Sequence, residues 1–275
     1  QYCEQNNKQI YDYVYETEGE EIKNFLGEIW EAMKESICLG LNAEGIIPGK
    51  LQLSKRAKSI YNNKIENEPT EVKRTRLLTA YAYAVSETNA SGGEIVTAPT
   101  CGSCGVLPAS LYYLQKEDKY TDEEIINALA TAGIIGNIVK TNASISGAEC
   151  GCQAEIGTAC SMAAAACSQL RKLDIYKIEH AAEIAMEHHL GLTCDPIYGY
   201  VQIPCIERNA VAAIRAIDAS NISMLLDENQ KISFDLITET MYETGKDLRS
   251  HYRETSTGGL AKKYCRNKYY NTDME

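Results

Sequence analysis

Apolar residues recur along most of the chain at the spacing of an amphipathic helix. Within residues 20–38, Ile22, Leu26, Ile29 and Met33 lie three or four positions apart, so they line one face of a helix. The same spacing recurs in seven further segments. The predicted helices span residues 20–38, 70–87, 106–116, 122–140, 158–171, 175–190, 205–217 and 232–251.

Polar and helix-breaking residues separate these segments. Glycine and proline within residues 40–49 end the first helix, and Thr70 is the predicted N-cap of the second. Either Thr121 or Asp122 is predicted to cap the helix over 122–140. Helices joined by glycine-bearing loops therefore dominate the predicted structure.

Evidence for strands is confined to two short runs, residues 94–98 and 198–203, so a sheet is not required. We predict an all-α fold. No repeat or Pro/Ser-rich linker divides the chain, which predicts one multi-helix domain over residues 1–275. Within it we expect a poorly packed amino-terminal segment over 1–19 and a carboxyl-terminal tail over 258–275.

Composition and charge exclude several classes of protein. Hydrophobic residues make up 44% of the chain and charged residues 24%, which is typical of a soluble globular protein. A net charge of -11 without a basic stripe excludes a nucleic-acid surface. Apolar runs fall short of the roughly 18 to 20 residues that cross a bilayer, and the amino end lacks the features of a secretory signal. We therefore expect no membrane partner and a cytoplasmic location.

The chain contains eleven cysteines, about 4% of its residues, which is below the roughly 8–10% of disulfide-rich secreted scaffolds. In a reducing compartment, cysteines serve metal ligation, catalysis or core packing. Cys160 and Cys167 lie seven residues apart on an alanine-rich helix, and we predict that both are packing residues.

Three other cysteines lie in polar loops. Cys152 stands in ISGAECGCQAEIG, Cys194 in HLGLTCDP and Cys205 in YVQIPCIERNA. Three thiolates from separate loops can hold an iron–sulfur cluster by three corners and leave one iron free for substrate. This pattern favours an enzyme with a metal cluster.

Two glycine-bearing loops are candidates for substrate binding. TAPTCGSCG precedes an apolar helix, so its free backbone N–H groups and hydroxyls can face an anion such as a carboxylate. The segment TNASISGAE places short hydrogen-bonding side chains around a glycine. The candidate substrate-binding residues are Thr100, Cys101, Gly102, Ser103, Gly105, Asn142, Ser144, Ser146 and Gly147.

Other residues leave alternatives open. Cys101 and Cys104 form a CxxC pair, which also suits half a zinc site, a redox pair or two cluster ligands. A non-catalytic zinc or redox protein is therefore an alternative to the enzyme. His188 and Lys140 are the candidate catalytic bases, while a helix-capping imidazole and a solvated lysine are their structural alternatives.

The strings VTAPT, NASISGAE, GCQ, LGLTCDP, VQIPCIERNA and ETSTGGLA closely resemble a known family. This family is the α chain, or catalytic domain, of iron–sulfur-dependent L-serine dehydratases, also called L-serine ammonia-lyases. The resemblance runs from about Gly40 to about Cys265. It implies a largely helical catalytic domain that converts L-serine to pyruvate and ammonia, with a 4Fe-4S cluster and no pyridoxal phosphate.

The resemblance also implies roles for particular residues. The three cluster ligands fall on Cys152, Cys194 and Cys205, and the two glycine-rich loops surround the substrate. Some relatives end in a cysteine that caps the open iron, which makes Cys265 a candidate fourth ligand.

The family pattern also bears on partners and on the substrate. A Ser-Ser-His motif of the accompanying chain is missing here, so we expect a separate β subunit, a homo-oligomer or both. The family commonly reads APTNGAAG where this chain reads APTCGSCG, so Cys101 replaces an asparagine. Elimination from a threonine- or cysteine-type amino acid is therefore the alternative to serine.

Overall fold

The computed structural model describes residues 2–227 and 230–271. Across these two ranges the regular structure is helical, and the only β contacts are two isolated bridges, Ile46 with Ser54 and Cys194 with Arg253. The runs 94–98 and 198–203 belong to no strand. The predicted all-α fold is confirmed.

The helices follow one another along the whole described chain. They are α1 (Tyr2–Gln5), α2 (Ile10–Glu18), α3 (Glu21–Asn42), α4 (Ala57–Asn62), α5 (Thr70–Ala90), α6 (Val106–Asp118), α7 (Asp122–Asn142), α8 (Gly147–Cys150), α9 (Thr158–Leu170), α10 (Ile175–Glu187), α11 (Cys205–Leu225), α12 (Phe234–Asp247) and α13 (Gly259–Asn271). Three 3₁₀ turns, Cys101–Ser103, Ile197–Gly199 and Ser250–Tyr252, and one π-helical segment, Gln153–Gly157, lie between them.

Helix α9 is the centre of the fold. Every residue of α9 is buried, and α6, α7, α10 and α11 pack around it. Its alanines have little side-chain bulk, so neighbouring helices can approach it closely. Cys160 and Cys167 are fully buried on this helix, and the Cys160 thiol lies 3.3 Å from the Ala212 carbonyl oxygen. The prediction that both are packing residues is confirmed.

The predicted start of a helix agrees with the observed one where a side chain caps that helix. Thr121 caps α7, because its hydroxyl accepts a hydrogen bond from the Glu124 N–H and the Glu124 carboxylate accepts one from the Thr121 N–H at 2.9 Å. The prediction that Thr70 caps α5 is wrong. Pro69, in extended geometry with ψ 148°, occupies the N-cap position, and Thr70 is the first helical residue.

Several predicted helices end at different residues in the structure, and two of them show why. The helix predicted over 205–217 continues to Leu225 as α11, because buried Ala219, Ser220 and Ser223 extend its packed face. The helix predicted over 232–251 is shorter. It begins after Ser233, whose hydroxyl accepts the Leu236 N–H, and it ends at Asp247, because the backbone of the next residue, Leu248, is extended.

The chain ends also carry helices. Helix α2 contains no buried residue, but the Tyr15 hydroxyl donates a hydrogen bond to Asn127 Oδ1 of α7 at 2.5 Å. The tail predicted over 258–275 contains α13, and its residues 272–275 lie outside the described residues, as does Gln1. The single-domain organisation stays a prediction. In the described part of the chain, no helix combines the length and apolar character needed to span a bilayer.

Candidate metal and substrate site

Two of the three loop cysteines converge with a glutamate. Possible ligand atoms of Cys152, Glu155 and Cys194 all lie within 4.8 Å of one another. Glu155 Oε2 lies 3.8 Å from Cys152 Sγ and 4.0 Å from Cys194 Sγ. Cys152 and Cys194 are each 2% exposed, whereas Glu155 is half-buried. We call these three residues the cysteine group.

The junction between α8 and the π-helical segment positions Cys152. Gly151 has φ +76°, and a Cβ there would lie 2.9 Å from the Leu192 carbonyl oxygen, so this turn requires glycine. The buried Gln153 side chain donates to the Cys150 carbonyl and accepts the Gly191 N–H, both at 2.9 Å. Helical geometry then places Glu155 on the same face as Cys152, three residues earlier.

Later parts of the chain hold the Cys194 loop. The Cys194 N–H donates to the Tyr252 carbonyl at 2.8 Å, and the Cys194 carbonyl accepts the Glu254 N–H at 2.6 Å. Arg208 of α11 donates to the Thr193 carbonyl at 2.6 Å. The loop is therefore fixed from both sides of Cys194.

Cys205 begins α11 beside this pair. It is 8% exposed, and it is not a member of the cysteine group among the described residues. Burial, together with the negative charge of Cys152, raises the pKa of the Cys205 thiol to about 12. The buried Asn209 amide donates to the Cys205 carbonyl at 2.9 Å and to the Gly102 carbonyl at 2.8 Å. One side chain thus connects Cys205 to the first glycine loop.

The electrostatics of the cysteine group favour one thiolate. A hydrogen bond from Cys194 lowers the pKa of Cys152, and the positive charge of Arg208 acts in the same direction. The same hydrogen bond, followed by burial, raises the pKa of Cys194. Burial also raises the pKa of Glu155, against a hydrogen bond from Thr100. Cys152 is therefore the thiol of this pair that ionises more readily.

The first glycine loop touches the cysteine group through Glu155. The Thr100 hydroxyl donates to Glu155 Oε1 at 2.8 Å, and a Cβ at Gly102 would lie 3.3 Å from the same oxygen. Ser103 is buried, with its hydroxyl 3.2 Å from the Ala98 carbonyl, and the Gly105 N–H donates to Asn209 Oδ1 at 2.8 Å. Thr100 and Gly102 thus face the site, while Ser103 and Gly105 hold the loop.

The CxxC pair divides between surface and core. Cys101 is exposed, whereas Cys104 is fully buried, and burial raises the pKa of the Cys104 thiol. The Cys101 carbonyl accepts a hydrogen bond from the Asn89 amide at 3.1 Å. The two thiols therefore have very different environments.

The second glycine loop reaches the other side of Glu155. A Cβ at Gly147 would lie 2.5 Å from Glu155 Oε2 and 3.2 Å from Cys194 Sγ, so the Gly147 backbone lies against the cysteine group. Ser144 is buried, donates to Glu149 Oε2 at 2.7 Å and accepts the Ser146 N–H at 3.1 Å. Asn142 is exposed at the last position of α7.

Contacts with α12 support this second loop. The Lys246 ammonium lies 2.5 Å from Glu149 Oε1, and the Tyr242 hydroxyl donates to the same oxygen at 3.4 Å. Glu149 thus connects α12 to Ser144, and we interpret Ser144 as a residue that shapes the loop.

The candidate bases lie at exposed positions. His188 follows α10, with Nδ1 2.8 Å from the Ile184 carbonyl, and its own carbonyl accepts a hydrogen bond from Arg215 at 3.2 Å. Lys140 is exposed in the last turn of α7. The buried neighbour His189 packs against Gly157, and burial lowers the pKa of its imidazole to about 4.

Cys265 lies on α13 and is half-buried. The cysteine group of the described residues does not include it. The start of α13 nevertheless meets the Cys194 loop, because the Leu260 N–H donates to Asp195 Oδ2 at 2.5 Å.

Sequence reasoning missed Glu155. The available signal was the spacing Cys152-x-x-Glu155 in a segment that leads into a helix, because side chains three residues apart share a helical face. The structure adds the contacts with both glycine loops, which no spacing along the chain could show.

Comparisons with known proteins agree with the resemblance. A family model described as "Serine dehydratase alpha chain" matches residues 3–261. An L-serine dehydratase of Haemophilus influenzae is 46% identical over 273 residues, which is 95% of this chain and 60% of that protein. L-serine dehydratase TdcG of Escherichia coli is 49% identical over 247 residues, which is 88% of this chain and 54% of that protein. An L-serine dehydratase of Helicobacter pylori is 45% identical over 271 residues, which is 94% of this chain and 59% of that protein. The chain therefore spans somewhat more than half the length of these curated relatives.

Proposed function

Since the chain belongs to the serine dehydratase alpha chain family, we propose that it is the catalytic chain of an L-serine dehydratase, a carbon–oxygen lyase. The observation that carries the proposal is the convergence of Cys152, Glu155 and Cys194 in contact with both glycine loops. The proposed metal ligands and the proposed substrate-binding backbone thereby meet in one small volume.

The donor set suits an iron–sulfur cluster. Cys152, Cys194 and Cys205 are each at most 8% exposed, and cysteine thiolates are the usual ligands of such clusters. We propose that these three hold a 4Fe-4S cluster, with Cys265 as a candidate fourth ligand. When bound, the cluster supplies a Lewis-acidic iron that takes up the charge of a departing hydroxide.

The residues of the chain itself bind and orient the substrate. The loops Thr100–Gly105 and Ser144–Gly147 hold the amino-acid carboxylate through backbone N–H groups, which fixes the hydroxyl at short range to the cysteine group. No pyridoxal phosphate takes part in the proposed chemistry.

Elimination also requires a base that removes the Cα proton. His188 and Lys140 are the candidates in this chain. The product of elimination, aminoacrylate, hydrolyses in water to pyruvate and ammonia. Replacement of each candidate with alanine tests its role. Pyruvate formation should be abolished only when the replaced residue is the base.

We propose that a second chain completes the enzyme. The matching family model is described as an alpha chain, which supports a partner β subunit. The proposed assembly contains a separate β subunit, several copies of this chain, or both.

The test uses protein purified without oxygen, alone and together with the β chain. We expect bound iron and acid-labile sulfide, visible charge-transfer absorption, and pyruvate formation from L-serine. L-threonine and L-cysteine are assayed in parallel, because the exposed Cys101 lies next to Thr100 at the site. Protein that contains zinc in place of iron and sulfide, and that forms no pyruvate, would refute the proposal.

A further inference from the structure

The two carboxylate oxygens of Glu155 have different surroundings. Oε1 accepts a hydrogen bond from Thr100 at 2.8 Å. Oε2 lies near two sulfur atoms, Cys152 Sγ at 3.8 Å and Cys194 Sγ at 4.0 Å. One hydroxyl therefore fixes the side chain, and its second oxygen faces the centre of the proposed site.

Glu155 has no ion-pair partner among the described residues. Arg208, whose charge acts on Glu155, donates to the Thr193 carbonyl at 2.6 Å and lies 3.7 Å from Asp195 Oδ1. A partly buried carboxylate without an ion-pair partner is electrostatically unfavourable unless a cation approaches it. The arrangement therefore suits a positively charged ligand.

The carboxylate also lies between the loops that we propose for substrate binding. A Cβ at Gly102 would be 3.3 Å from Oε1, and a Cβ at Gly147 would be 2.5 Å from Oε2. Both backbones thus touch Glu155. In an α-amino acid, one carbon atom separates the carboxylate from the ammonium group, so a substrate carboxylate on these loops brings its ammonium close to Glu155.

We infer that Glu155 binds the α-ammonium group of the amino-acid substrate. The inference rests on the proposed function and deepens it. In this arrangement the substrate carboxylate lies on the glycine loops and its hydroxyl lies near Cys152 and Cys194. Glu155 supplies the third contact, to the ammonium group, and this contact selects an L-α-amino acid over an acid without an ammonium group. Glu155 would therefore determine substrate specificity and leave cluster binding to the cysteines.

The central experiment compares wild type with Glu155→Gln, both purified without oxygen together with the β chain. Glutamine keeps the shape and the acceptor for Thr100 but removes the charge. We expect a roughly 10- to 100-fold higher KM for L-serine, the range for loss of a hydrogen bond to a charged group. L-Glycerate lacks the ammonium group and therefore probes the remaining contacts. Its inhibition constant and its effect on the visible spectrum should be the same for wild type and Glu155→Gln.

The matched control is Glu239→Gln. Glu239 is exposed on α12, so this variant makes the same substitution and removes one negative charge outside the site. It should change the KM for L-serine less than about twofold, as expected for a screened surface charge. A second variant, Glu155→Asp, retains the charge on a shorter side chain and should give an intermediate KM. Melting temperature and iron content should be equal in all variants.

The outcomes separate the alternatives. Loss of iron from Glu155→Gln would make Glu155 a metal ligand and overturn the inference. Equal weakening of L-serine and L-glycerate would also overturn it, because Glu155 would then only order the loops. An unchanged KM for L-serine in an active enzyme would refute this inference alone. Wild type that lacks iron and pyruvate formation would instead refute the proposed function.

Discussion

At the residue scale, the three loop cysteines carry the proposal of metal binding. Serine in place of Cys152, Cys194 or Cys205 removes one thiolate ligand, so we expect each variant to lose most of its iron and acid-labile sulfide. The matched control is Cys38→Ser, because Cys38 is exposed on α3. Iron and sulfide analysis of anaerobically purified protein checks this prediction. Full cluster content in all three loop variants would contradict the ligand assignment.

Glu183 is a second residue with a testable environment. It is 3% exposed on α10, and its Oε1 has no hydrogen-bond partner among the described residues. Its Oε2 lies 3.6 Å from His180 Nε2. Burial, with the negative charge of Glu187 second, raises the pKa of Glu183 to about 7. The neighbouring α12 contributes the buried Thr238 hydroxyl, which is also without a partner among the described residues.

The direction of the resulting pH dependence follows from proton binding. Between the ordinary carboxyl pKa and about 7, the folded protein binds the Glu183 proton more tightly than the unfolded chain, so stability falls as pH rises through this range. Glu183→Gln removes this loss of stability. The free energy of unfolding of the variant should exceed that of wild type by roughly 1–3 kcal/mol at pH 8 and differ little from it near pH 4.5. Urea unfolding of the variant and wild type at both pH values measures the difference.

The control for this prediction is Glu239→Gln, since Glu239 is exposed on α12. It should leave the pH dependence as in wild type. Contributions from titrating groups that do not contact Glu183 cancel in the comparison between variant and wild type. A Glu183→Gln protein with the wild-type pH dependence would show that the burial of this carboxyl costs nothing.

At the scale of elements, periodicity predicted the helices that bury a face. Helices α3, α7 and α9 have apolar positions that repeat at helical spacing, and their predicted ends lie within a few residues of the observed ones. The missed helices differ in physical character. Helix α2 contains no buried residue and α13 is rich in polar residues, so the apolar repeat is weak in both, while α1, α4 and α8 have only four to six residues, too few to show a repeat.

The sequence predicted those site residues whose chemistry follows from their neighbours along the chain. Cysteines in polar, glycine-bearing loops indicated Cys152 and Cys194, which the structure brings together. The roles of Ser144 and Ser103 as loop supports depend on Glu149 and the Ala98 carbonyl, and these are contacts of the folded chain. Polarity in a sequence does not distinguish a substrate ligand from a residue that satisfies a buried backbone group.

Close packing of α3 against α5 gives a prediction for an element. A Cβ at Gly40 would lie 2.2 Å from the Ala84 carbonyl oxygen of α5, so Gly40→Ala would force the two backbones apart. We expect a loss of about 1–3 kcal/mol of unfolding free energy, as for other overpacked interiors. Urea unfolding monitored by circular dichroism measures this loss.

Gly27 of the same helix is the matched control. The nearest heavy atom to a Cβ at Gly27 is Ile126 Cδ1 at 3.7 Å, an ordinary contact. Gly27→Ala should therefore stabilise the protein by about 0.5–1 kcal/mol through helix propensity. Equal effects of the two substitutions would mean that α3 and α5 move apart without cost.

At the scale of the whole molecule, the last part of the chain returns to the Cys194 loop. Cys194 pairs with Arg253 in a β bridge, and the Ser256 hydroxyl donates to the Pro196 carbonyl at 2.6 Å. Asp195 Oδ2 then accepts a hydrogen bond from the Leu260 N–H in the first turn of α13. A cysteine of the proposed metal centre is thus held by residues about 60 positions later in the chain.

Asp195 connects the proposed metal centre to α13, and its removal should loosen the tail. Asp195→Ala removes the acceptor of the Leu260 N–H at 2.5 Å and the carboxylate that lies 3.7 Å from Arg208 Nη2. Loss of an N-cap interaction of this kind costs about 1 kcal/mol, so we expect roughly fivefold faster amide exchange over residues 259–266. Hydrogen exchange followed by mass spectrometry measures this rate.

The control is Asp174→Ala, which removes the cap that accepts the Lys177 N–H of α10 at 3.0 Å and should speed amide exchange in α10 instead. Unchanged protection of α13 in Asp195→Ala would show that the tail is held without this contact.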